Sequence, residues 1–148
     1  MRATYRVLCG LTMLLVLVQS AAIAFGTFGI LDFVSGGDDY TKSIAEDRSA
    51  DAGGLGQNIH SFGAMAIALV AIILLVVSFF ARIDGGVKWA GIVFLTVVLQ
   101  WVFAIVAFSA PVVGILHGIN AFFIFGTAMT AMQHAKAVEA EAPATAPA

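Results

Sequence analysis

Apolar residues along this chain gather into four long runs, at 7–31, 60–81, 87–110 and 112–132. Each run is about 20 residues or longer, enough for a helix rising about 1.5 Å per residue to cross a hydrocarbon core of about 30 Å. Their interiors carry no Asp, Glu or Arg, and Lys88 stands only at the edge of the third. An unpaired backbone amide in lipid costs several kcal/mol, so these runs predict helices. The polar positions between them predict the connections. Asp84-Gly85-Gly86 reads as a tight turn. Ser109-Ala110-Pro111 closes the third run and opens the fourth, since proline is tolerated in a first helical turn. The longer segment 32–57 contains Gly36-Gly37-Asp38-Asp39 and Gly53-Gly54 and reads as an extracytoplasmic loop. The Ala/Glu/Pro-rich stretch 133–148 predicts a disordered cytoplasmic tail. The expected fold is all-α: an integral membrane up-down four-helix bundle over 7–132, behind a short N-terminus 1–6.

Composition strengthens this picture. Of 148 residues, 61% are hydrophobic and only 11% are charged, against about a quarter charged in an ordinary soluble domain. The charges are sorted. With the N-terminus in the cytoplasm, Arg2, Arg6, Arg82, Lys88 and Lys136 lie inside, while only Lys42 and Arg48 lie outside, among Asp32, Asp38, Asp39, Glu46, Asp47 and Asp51. That asymmetry predicts both termini in the cytoplasm. A cleaved secretory signal is the competing reading of the first run, with Ala22-Ile23-Ala24 as the cleavage site. The run continues through Phe25, Phe28 and Ile30, longer than a signal core needs, which favours a retained span. The single cysteine, Cys9, admits no intrachain disulfide and reads as a packing residue.

The second and fourth runs share a pattern. His60, Ala64, Ile67 and Ala71 fall on one helical face, and His117, Ala121, Ile124 and Ala128 repeat it at the same spacing. In the first and third runs, Leu17-Val18-Gln19 and Val98-Leu99-Gln100 precede similar Ala-Ile-rich segments. The chain therefore reads as two related helical hairpins, each with one intramembrane glutamine and one histidine. In an up-down bundle the second and fourth helices run parallel, which puts both imidazoles at similar depth in the outer half of the membrane. Adjacent axes lie about 8–10 Å apart, so the diagonal is roughly 12–14 Å, a span that admits two inward histidines with a planar metalloporphyrin between them. Gly63 and Ala64 beside His60, and Gly114, Gly118 and Ala121 around His117, would leave room for a flat ring. Axial ligation needs a neutral imidazole whose other nitrogen is held by an acceptor. Gln57 and Asn58 are the polar residues expected at the outer edge of such a site, while His134, beside Lys136, is expected at the solvated interface.

Gln57-Asn58-Ile59-His60, His117-Gly118-Ile119-Asn120-Ala121 and the glutamines Gln19 and Gln100 together resemble one half of a haem A synthase. That family is built from two four-helix bundles, each with histidines on its second and fourth helices able to hold a b-type haem. The resemblance covers about 7–132 and implies haem b as cofactor, with His60 and His117 as iron ligands. Where the family has a glutamate linked to catalysis this chain has Gln57, and where it has an arginine after the histidine this chain has Ser61. The chain has neither a second bundle nor a cysteine pair in its loop. These departures point away from an enzyme. The sequence also resembles a family of small four-span bacterial membrane proteins that share the span-two histidine and the His-Gly-x-Asn-Ala run. That resemblance implies a bacterial plasma membrane and brings no activity with it.

Three classes of function follow. The first is a haem b protein for electron transfer or haem sensing, serving a membrane redox partner or respiratory complex. The second is a structural or accessory membrane subunit whose histidines only make interhelical hydrogen bonds, worth about 0.6–2 kcal/mol each. A transporter ranks last, because ion and proton paths are usually marked by charged residues within the spans. No basic patch, phosphate loop or CxxC cluster supports a nucleic-acid partner or a soluble enzyme.

Overall fold

The computed structural model describes residues 1–141. It is all-helical, with no strand among the described residues. Five helices follow one another: α1 (Arg2–Ser35), α2 (Lys42–Asp47), α3 (Gly54–Ser78), α4 (Gly86–Ala107) and α5 (Gly114–Glu141). Single 3-10 turns at Ala50–Ala52 and Pro111–Val113 lead into α3 and α5. Four helical stretches are long and apolar enough to cross a membrane: α1, α3, α4 and Pro111–Val138. The chain is a multi-pass membrane protein with the predicted all-α fold.

Burial runs opposite to that of a water-soluble domain. Large apolar side chains point outward, among them Phe28 (70% exposed), Ile105 (65%) and Phe122 (81%), while Thr12, Gln19, Ser78 and Asn120 are buried. Lipid accepts such a surface and water does not. The hydroxyls are satisfied within their own helices. Thr12, Ser20, Thr27 and Thr130 donate to the carbonyls of Leu8, Val16, Ile23 and Gly126, one turn back. Glutamine, asparagine, histidine and Tyr5 carry polar bonds from one helix to another.

The described residues form two compact units, Leu15–Ile67 and Met1–Leu14 with the chain from Ala68 onward. In the second unit Tyr5, Cys9, Leu74, Ala81, Ile83, Ala90, Val93, Ala128, Ala131 and Ala135 share one buried cluster. The alanine column of α5 lets that helix approach its neighbours closely. The α3–α4 turn there is tied from two sides. Arg2 Nη2 donates to Arg82 O (3.0 Å) and Tyr5 Oη to Gly86 O (3.0 Å). His134 Nε2 meets Asp84 O, with its ring 6.4 Å from that of Trp89. His134, half-buried and past the predicted end of the last span, thus also contacts the α3–α4 turn, a partner that the sequence did not predict.

Two boundaries differ from the expectation. The loop 32–57 is largely ordered: α1 reaches Ser35, α2 begins at an N-cap where Thr41 accepts from Ile44 N, and α3 begins at Gly54. At its other end the fourth span continues as α5 through 133–141, where a disordered tail was expected. Ala135, Lys136, Ala137 and Ala140 are strong helix formers that extend a helix already anchored at His134. Residues 142–148 of the expected tail lie outside the described residues.

Candidate functional site

In the first unit α1 and α3 meet in antiparallel fashion, almost backbone on backbone. A Cβ at Gly56 would overlap the backbone of Gly26 and Ala22, and one at Gly29 would come within 2.8 Å of Gly53 Cα. Glycine is required along this crossing for want of space, and at Gly53 also for its φ of +81°. The close approach brings the carbonyl of Gln19 to the imidazole of His60, with Nδ1 3.2 Å from Gln19 O. A carbonyl only accepts, so Nδ1 carries the proton in this bond. The Gln19 amide turns the other way. Its Nε2 donates over 3.5 Å to Ile59 O, and its buried Oε1 has no hydrogen-bond partner.

In the second unit α4 and α5 form the corresponding antiparallel pair. His117 Nδ1 lies 3.1 Å from Gln100 O, the same bond to the same type of residue. Here the glutamine side chain also engages the ring, with Gln100 Nε2 3.1 Å from His117 Nε2. Asn120 Nδ2 donates to Thr96 O (2.8 Å) and to Gln100 Oε1 (2.8 Å). Two backbone carbonyls fix every direction in this network. Thr96 O identifies the nitrogen of Asn120, so Gln100 presents Oε1 to it and Nε2 to His117. Gln100 O draws the proton to Nδ1, so Nε2 receives the glutamine N–H through its lone pair. The ring is held at both nitrogens.

The residues expected to make room for a ring divide. Gly63 faces the Gln19 amide, which a Cβ there would overlap, so this space is taken by a side chain of the same unit. Gly114 and Gly118 have nothing within 4 Å of an added Cβ, so α5 is open on those sides of His117. Ala64 and Ala121 are half-buried on the repeated faces, and Ile67, Ala71, Ile124 and Ala128 below them are buried. At the polar end of α3, Gln57 Nε2 donates to Tyr40 Oη (3.4 Å). Arg48 Nη1 donates to Asn58 Oδ1 (3.1 Å) and Ser61 Oγ (2.9 Å). The loop thus delivers a guanidinium to the turn of α3 that carries His60, which sequence spacing did not reveal.

No group of three or more His, Cys, Asp or Glu side chains among the described residues is arranged to hold a metal ion. A bare zinc ion needs three or four protein ligands, whereas a metalloporphyrin brings four nitrogens and asks the protein for one or two. The donor set matches the second requirement in kind, single imidazoles each with Nδ1 on a carbonyl, with His117 Nε2 engaged by the Gln100 amide. Comparison with known proteins finds no matching family model, no matching curated protein and no matching solved structure.

Proposed function

We propose that this chain is a multi-pass protein of the bacterial plasma membrane, with both termini cytoplasmic, that binds haem b through His60 and His117. The observation carrying this reading is the bond made twice, once in each unit, from a histidine Nδ1 to the carbonyl of an intramembrane glutamine. Such a bond sets the ring orientation, holds the Nδ1–H tautomer and raises the basicity of Nε2, which is how proteins prepare axial histidines. Haem supplies one-electron chemistry when bound. His60 and His117 would hold the iron between them, a set of ligands that would suit electron transfer or haem sensing rather than oxygen chemistry. Arg48, beside Ser61, offers a cation for an anionic ligand edge on the loop side of α3. Protein purified in mild detergent after haem-supplemented expression is expected to show a Soret band with b-type α and β bands. His60→Ala and His117→Ala are each expected to abolish or greatly weaken it. A colourless preparation overturns the reading.

One observation favours a second reading, that of an accessory subunit. His117, Gln100, Asn120 and Thr96 bond to one another in a closed network that joins α4 to α5 without any ligand. On that reading His117→Ala loosens the hairpin, and no chromophore accompanies the native protein.

A further inference from the structure

Gln19 and Gln100 hold matching places in the two hairpins, yet their amides do different things. Gln100 reaches over His117 and bonds its Nε2. Gln19 is turned onto the carbonyl of Ile59, the residue before its histidine, with Oε1 left unpartnered. One position explains the contrast. Three residues after His117 stands Asn120, whose amide grips Gln100 Oε1, and three residues after His60 stands Gly63, which has no side chain to do so. A glutamine in this setting therefore has two resting places. One lies across the imidazole when a donor holds its oxygen, and the other lies on the neighbouring backbone carbonyl when none does.

We infer that Gln100 is a latch on the His117 Nε2 lone pair and that Asn120 is the catch that keeps it closed. The lone pair given to the Gln100 N–H is the one an axial ligand donates to iron. Loading at His117 therefore requires that hydrogen bond to break and the amide to swing toward Leu116 O, the counterpart of the position Gln19 occupies. Asn120 opposes the swing, because releasing Gln100 takes the donor from its part-buried amide oxygen. This inference rests on the haem reading and adds to it a regulated order of loading, with His117 the guarded ligand. Gln100 and Asn120 are positioning residues; neither is assigned a bond to the cofactor.

The test uses the full chain in detergent with two readouts. Gln100→Leu removes the amide at similar volume and keeps the backbone carbonyl that holds Nδ1. Gln100→Ala serves as a second variant should the first fold poorly. By 15N NMR of the His117 imidazole, the native chain is expected to show a protonated Nδ1 and a hydrogen-bonded, unprotonated Nε2. The Nε2 signal should shift in either variant while Nδ1 stays. An unmoved Nε2 signal overturns the latch. In hemin titrations followed at the Soret band, either variant is expected to bind about five- to tenfold tighter than the native chain, the worth of one hydrogen bond. Equal or weaker binding by the variants, with the native chain still binding, overturns the regulatory role and leaves the haem reading standing. Binding by no chain overturns the haem reading and the regulatory role with it.

Discussion

At the scale of single residues, the protein turns on where its few polar side chains find partners. The sequence exposed the matched glutamines and histidines, because polar residues stand out in an apolar run. It did not show that each glutamine would bond the histidine of its own hairpin, since that depends on how closely the two helices approach. Asn120 is the residue whose part was least legible. In the run His117-Gly118-Ile119-Asn120-Ala121 it read as one letter of a motif, whereas in the fold it completes the hydrogen bonding of Gln100. Asn120→Leu is expected to destabilise the protein by about 1 kcal/mol, because it removes the donor to the half-buried Gln100 oxygen. Reversible unfolding in mixed detergent micelles measures this, and an unchanged stability would argue against the network. Tyr5→Phe probes the other buried polar anchor. Loss of its bond to Gly86 O should cost about 1 kcal/mol in the same assay.

At the scale of elements, hydropathy predicted all four long helices, because only helices satisfy their backbone within lipid. Their ends were harder to read. α3 begins six residues before the predicted start of 60–81, since Gly54 packs against Arg48 and Ser49, and Gly56 and Gln57 against α1, rather than being held by their own hydrophobicity. α2 was hidden because its cap, Thr41, and its left-handed C-terminal residue, Arg48, are short-range devices inside a segment with loop composition. The glycines show how far composition alone can mislead. Gly63 reads as space for a ligand, yet its missing side chain makes space for Gln19. Gly56 at the α1–α3 crossing and Gly91 on α4 provide a contrast. Gly56→Ala, which would force Cβ into the backbone of Gly26 and Ala22, should cost about 1–3 kcal/mol. Gly91→Ala, with nothing within 4 Å of the new Cβ, should be neutral or slightly stabilising. Equal effects at the two sites would contradict the backbone-on-backbone crossing.

At the scale of the whole molecule, two claims reach beyond the helices themselves. One is orientation, which rests on the sorting of basic residues. A cysteine introduced at Ser43, in the loop segment, should react in intact cells with a membrane-impermeant maleimide, and one introduced at Asp84, in the α3–α4 turn, should react only after the membrane is opened. The reverse pattern would invert the topology. The other claim, and the central one, is that the two glutamine-held imidazoles serve haem iron. The most direct measurement is the haem content per chain of the purified full-length protein, by pyridine haemochrome assay. One b-type haem per chain is expected, falling to near zero in His60→Ala and in His117→Ala while both variants remain folded. Native protein carrying no haem, or retaining its full complement in both variants, would contradict it.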